Sequence, residues 1–127
     1  MTKKKVRPKT ANRLLLTDRS LHEIAAIEQD SIEQWGKKTA AKYVAQLEDA
    51  LSRIKSNPHL LRQEEGFHQF LQFYTANKHV LVFEIQDNDI ILLTVFHGSM
   101  DIPARLAELE PTLATEVKLL HQQLQRK

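Results

Sequence analysis

His97 and Asp101 are the side chains of this 127-residue chain whose types and spacing most directly suggest chemistry. A carboxylate four residues beyond an imidazole can orient it for general acid or base work. The same arrangement also suits a structural histidine that closes a strand and bonds the turn after it, and that role is the expected one. His68 and His79 lie near the ends of two further apolar segments and could neighbour each other or His97 across a sheet. Tyr43 and Tyr74 carry phenols able to donate a proton, although their positions on a helix and at a strand end fit core packing equally well. Trp35, at a helix turn, is expected to lid the core rather than to serve as a stacking platform. The chain has no cysteine and no histidine pair at helical spacing, so no metal site and no cofactor is expected.

Three apolar segments of strand length must position these histidines. They are Phe67 to Tyr74, His79 to Ile85 and Ile90 to His97, separated only by Ala76-Asn77-Lys78 and Asp87-Asn88-Asp89. Asn and Asp favour such tight turns because their short side chains bond the local backbone and tolerate left-handed conformations. Strands joined so closely must run antiparallel. A fourth short apolar run, Leu14-Leu15-Leu16, is expected to join this meander and complete a four-stranded antiparallel sheet. Apolar residues on both sides of Val80 to Phe83 imply that both sheet faces are covered.

Two helical patterns lie between the first run and the meander. Thr17-Asp18 announces the first, with Ser20 as an alternative cap and Glu23 completing a capping box. Its stripe reads Leu21, Ile24, Ala25, Ile32 and Trp35, with Ile27 at the margin, and Gly36 offers a left-handed stop. The second helix carries Val44, Leu47, Leu51 and Ile54 at spacings of three and four, and Asn57-Pro58 ends it. The short connection makes the pair an antiparallel hairpin able to cover one sheet face. After the turn Gly98-Ser99-Met100-Asp101 a short helix starts at Pro103, and Pro111 is expected to begin a second one with the stripe Leu113, Val117, Leu120 and Leu124. That last helix could dock on its own sheet or on a second copy of the chain.

Composition bounds the remaining possibilities. Lys3, Lys4, Lys5, Arg7 and Lys9 supply five of the eighteen basic residues, leaving thirteen against sixteen acidic groups from Thr10 onward. The division predicts a basic disordered tail over residues 1–10 and a single domain over residues 11–127. No apolar run reaches the roughly 18 residues of a membrane span, and no apolar block follows the basic start as in a signal peptide, so a cytoplasmic protein is expected.

The order strand, helix hairpin, three-stranded meander resembles the RelE/ParE superfamily of bacterial type II toxins. The progression from Ala40-Ala41-Lys42-Tyr43-Val44 to Leu51, Ile54 and Asn57-Pro58, and the last strand Ile91 to His97, carry the likeness over roughly residues 13 to 109. It implies an α+β, RelE/ParE-like fold with C-terminal helices. It also implies a toxin of a toxin-antitoxin or plasmid stabilisation system, with a cognate antitoxin as partner. The superfamily holds two activities: ParE-like members inhibit DNA gyrase by binding, and RelE-like members cut messenger RNA in the ribosome. In the nuclease case the resemblance points to His97, Arg105 and Arg62 for acid–base and phosphate-holding roles. His97-Gly98-Ser99-Met100-Asp101 lacks the arginine that usually follows the histidine in the family, and Arg62, Lys78 and Arg105 are the only Lys or Arg between Lys55 and Lys118. Phosphate handling needs clustered cations. The expectation is therefore a ParE-like toxin without a catalytic centre. An mRNA endonuclease and a non-toxic member that keeps only the antitoxin-binding fold are the alternatives.

Overall fold

A computed structural model describes residues 13–64, 71–86, 89–98 and 101–125. The basic tail, Phe67 to Phe70 with His68, the Asp87-Asn88 turn pair, and Ser99-Met100 lie outside the described residues. The side chain of Leu124 lies outside them as well. The elements are β1 (Arg13–Leu16), α1 (Asp18–Trp35), α2 (Lys37–Ser56), a 3-10 turn (Pro58–Leu60), β2 (Leu71–Ala76), β3 (His79–Gln86), β4 (Asp89–His97) and α3 (Ile102–Gln125).

The four strands form one sheet in the order β1-β4-β3-β2. The meander β2-β3-β4 is antiparallel throughout. β1 instead pairs parallel to β4, with Leu16 opposite Leu92, so the sheet is mixed rather than fully antiparallel. The reason is connectivity. Only strands linked by tight turns are forced to be antiparallel, and β1 reaches β4 through the whole helix hairpin and two strands. Arg13 and Asp89 fix the start of this pairing with an ion pair at 2.6 Å.

β4 contains a bulge. Val82 faces Thr94 while Phe83 faces Leu92, which leaves Leu93 without a partner on β3. An extra residue in one strand reverses the alternation beyond it. Leu92 and Val95 therefore pack together with Leu81 and Phe83 under the helix hairpin, while Ile91, Leu93 and Phe96 face α3.

β1 ends at Leu16, and the β4 edge beyond it is satisfied by α1. The Thr17 N–H donates to the Leu92 carbonyl at 3.2 Å, continuing the ladder for one bond. The Thr17 hydroxyl donates to the Leu93 carbonyl at 2.9 Å and accepts the Ser20 N–H at 3.1 Å, so one buried side chain caps α1 and satisfies the bulge. Glu23 does not close a capping box on Ser20. Its carboxylate reaches across to β4, accepting the Val95 N–H at 2.9 Å and the Thr94 hydroxyl at 2.7 Å.

These bonds set the phase of α1. Its inner stripe is Ser20, Ile24, Ile27 and Ser31, at spacings of four, three and four, and both serines are buried. Leu21 and Trp35 point outward, 51% and 53% exposed, so neither belongs to the core stripe and Trp35 is not a core lid. Gly36, at φ +87°, turns the chain between the helices, a conformation that disfavours a side chain. α2 buries Ala40, Leu47, Ala50, Leu51 and Ile54.

The opposite sheet face is covered by α3. Asp101 caps it, accepting the Ala104 N–H at 3.3 Å. Pro111 lies inside this single helix rather than starting a second one. An interior proline costs about 3 kcal/mol. The continuous stripe Leu106, Leu109, Leu113, Val117 and Leu120 outweighs that cost by packing on Phe73, Val82, Ile91 and Phe96, at roughly 1.5–3 kcal/mol for each large side chain fully buried. Arg19 and Glu116 pair at 2.9 Å and tie α3 to α1.

Two stability tests follow from the β4 edge. Thr17→Ala removes a cap and leaves a buried carbonyl unpaired, which should cost about 2–4 kcal/mol in urea unfolding, whereas Thr17→Ser should cost under about 1 kcal/mol. A loss below about 0.5 kcal/mol for the alanine variant would contradict the assignment. Burial holds the Glu23 carboxyl above its ordinary value of 4.5, against the opposing hydrogen bonds from Val95 and Thr94. The folded state thus binds more protons than the unfolded chain above pH 4.5, and this contribution to stability is lost as pH rises through the folded value. Glu23→Gln should flatten that descending limb, and Glu23→Ala should lower stability at every pH by orphaning Val95 and Thr94. Equal losses for both variants would refute the account.

Candidate functional site

The end of the sheet nearest the helix turn gathers Trp35, Tyr43, His79 and His97. β3 begins and β4 ends there, and the register sets His79 directly opposite His97. Asn77 adopts the left-handed conformation at φ +54° that an Asn tolerates in a tight turn. The Gly98 N–H donates to the Lys78 carbonyl at 2.8 Å and ties that turn to the end of β4. Lys78, His79 and His97 are thereby held together by backbone alone.

The helix hairpin supplies the other wall. The Tyr43 hydroxyl, from the inner side of α2, forms a short hydrogen bond with Nδ1 of His79. The rings of His79 and His97 meet edge to face with centroids 5.4 Å apart. Asn77 donates to Gln46 of α2 at 2.7 Å. Lys78 Nζ lies 5.3 Å from the centre of the Trp35 ring, within cation–π range. Between the walls lies an open groove of about 570 Å³, with Asp30, Gln34 and Trp35 of α1 on one side and Tyr43, His79 and His97 on the other.

Burial and nearby charge favour the uncharged form of His79. Burial, then the neighbouring His97 and Lys78, hold its pKa below the ordinary 6.5. A hydrogen bond donated by Tyr43 acts in the same direction, because Nδ1 can accept only in the uncharged ring. Burial raises the Tyr43 pKa, so the phenol keeps a proton that it can donate to Nδ1. The arrangement can hold a proton between an oxygen and a nitrogen and can receive a polar ligand. Among the described residues no group of three or more His, Asp and Glu is arranged to hold a metal ion.

The three residues suggested for RNA cleavage do not converge. His97 is in the groove on the hairpin side of the sheet. Arg105 stands in the first turns of α3, across the sheet, paired with Glu108 at 3.1 Å. Arg62 bridges Phe73 outside β2, so β2 and β3 separate it from β4, about 14 Å in strand spacings. Asp101 caps α3. His79 and His97 do neighbour each other across the sheet, as their positions near strand ends allow. The Tyr43–His79 bond and the Lys78–Trp35 contact are absent from the sequence reading. The expected α2 stripe begins at Val44, whereas Tyr43 packs with Leu47, Ala50 and Ile54 on the inner face. The spacing 43, 47, 50 and 54 is the signal that could have placed it there, and nothing local linked it to His79.

A helix hairpin on a mixed four-stranded sheet, followed by a helix over the second face, is the fold of the RelE/ParE toxins. The family model of the ParE toxin of the type II toxin-antitoxin system, parDE, matches residues 14–102, and the chain belongs to that family. Among solved structures it is similar to the chromosomal ParDE toxin-antitoxin system from P. aeruginosa. That likeness has 13% identity and a TM-score of 0.60 over 70% of this chain and 96% of that one. It is also similar to the toxin-antitoxin complex RelBE2 from Mycobacterium tuberculosis, at 12% identity and a TM-score of 0.52 over 72% of this chain and 97% of that one. At such identities these structures speak for fold alone. No curated protein matches. The family match ends at Ile102, where α3 begins. No described helix is long and apolar enough to cross a membrane.

Tyr43→Phe tests the assigned proton positions. In the folded state His79 takes up fewer protons than the unfolded chain just below pH 6.5, so its contribution to stability falls as pH drops through that window. Removing the phenol should raise the His79 pKa toward 6.5 in an NMR titration and cost about 0.5–1.5 kcal/mol at neutral pH. An unchanged His79 titration would show that Tyr43 does not donate to it.

Proposed function

We propose that this type II toxin acts by protein contact in the cytoplasm, binding and inhibiting DNA gyrase, and that a cognate antitoxin neutralises it. One observation carries the reading: His97, Arg105 and Arg62 lie on different sides of the fold. Cleavage of a phosphodiester needs a base, an acid and cations within hydrogen-bond reach of a single phosphate. Here, among the described residues, one lysine, Lys78, and no arginine line the groove.

Antitoxin docking is supported by the outer edge of β2. Arg62 covers that edge at Phe73 through two backbone hydrogen bonds of 2.9 and 2.7 Å. At Thr75 the strand is exposed above a groove of about 470 Å³ floored by Ala45, Ala50 and Ala76. An extended antitoxin segment can pair with that edge and set an apolar side chain on the alanine floor.

A second reading, ribosome-dependent mRNA cleavage, draws on the Tyr43–His79–His97 grouping, which does hold acid–base groups close together. Induction of the toxin without its antitoxin separates the two. The gyrase reading expects purified toxin to inhibit supercoiling in vitro and induced cells to show DNA damage signalling with messages intact. New cleavage sites in translated messages by primer extension, with normal supercoiling, would establish the nuclease instead. Neither effect, with antitoxin binding retained, would mark a member that has kept the partner surface and lost toxicity.

A further inference from the structure

The groove between the helix turn and the β2–β3 turn combines an exposed aromatic surface with basic side chains. Trp35 is the only tryptophan of the chain, and more than half of it is exposed at the groove wall. A large ring left in water beside an open groove is a surface on which another flat ring gains by stacking. Around it Gln34 and Thr39 present an amide and a hydroxyl that can bond the polar edge of such a ring. Basic side chains lie beside the Trp35 ring: the Lys78 ammonium stands 5.3 Å from its centre, and the exposed His97 imidazole lines the same groove. The volume, about 570 Å³, lies within the range of small-molecule sites.

We propose that this groove binds a nucleoside monophosphate, with its base against Trp35 and its phosphate held by Lys78 and His97. Lys78 is seated over the Trp35 face, an exposed cation–π contact worth about 0.5–1 kcal/mol, and a phosphate oxygen is a stronger partner for the ammonium. Asp30 narrows the ligand class. Its carboxylate, also on the groove wall, can accept an exocyclic amine or a ribose hydroxyl but repels surplus negative charge. A single phosphate on a neutral base therefore suits the lining better than a triphosphate or a free anion. This activity lies beyond gyrase inhibition and does not depend on it.

Trp35 reports directly on its own site. Titration of the full-length toxin with 5′-AMP and 5′-GMP should give saturable quenching of its fluorescence, confirmed by calorimetry because Lys78 itself contacts the ring. Adenosine alone and inorganic phosphate alone should each bind at least about tenfold more weakly than the nucleotide. Lys78→Ala should weaken nucleotide binding by about tenfold, and His97→Gln should weaken it in the same direction. NMR signals of the His79 and His97 rings should shift on nucleotide addition in the wild-type protein. No saturable response, a response unchanged in Lys78→Ala, or phosphate binding as tightly as AMP would each overturn the proposal. Supercoiling is assayed separately on wild-type toxin without nucleotide, so its outcome bears on the gyrase reading alone.

Discussion

The edge of β4 is the constraint on which the rest of the structure depends. β4 is an interior strand, but β1 covers only its first half, and a bulge leaves Leu93 unpaired on the β3 side. Unpaired backbone groups at a buried edge are costly, so something must meet them. Thr17 and Glu23 do so, one from the N-cap of α1 and one from its second turn. Their bonds to Leu92, Leu93, Thr94 and Val95, four successive residues of one strand, fix rotation as well as distance. The hairpin is thus clamped in a single phase, and Tyr43 on its second helix comes to rest over His79.

Covering both faces then decides the tertiary architecture. The central residues Leu81, Val82 and Phe83 are fully buried, two under the hairpin and one under α3. A sheet of four short strands cannot leave such a face in water. The segment after the family match supplies the second cover, and its burial energy keeps one helix intact through Pro111, which outside such a context would break it. Thr115 donates its hydroxyl to the Pro111 carbonyl at 3.0 Å and helps that turn to hold.

The polar site is a by-product of the same geometry. A turn that joins β2 to β3, a strand end and a helix turn meet because the sheet register and the α1 clamp bring them together. Their chemistry is that of a hydrogen-bonded imidazole, a second imidazole edge-on to it and one lysine.

Much of this was legible locally. Strand segments at His79 and Ile90, the α2 stripe, the Gly36 turn and the need to cover both sheet faces all follow from periodicity and turn residues, which report on near neighbours along the chain. The inner face of α1 was misread because Ser20 and Ser31 occupy it and Leu21 and Trp35 do not; apolarity is a poor guide where hydrogen bonds to a strand set the phase. The parallel pairing of β1, the Leu93 bulge and the unbroken α3 were likewise out of reach. Each depends on partners more than twenty residues distant or on burial that exists only after folding. The same holds for the site: sequence placed His79 and His97 at strand ends, and only the tertiary structure added Tyr43, Lys78 and Trp35 to them while separating Arg62 and Arg105, because a shared groove is a property of packing and not of spacing.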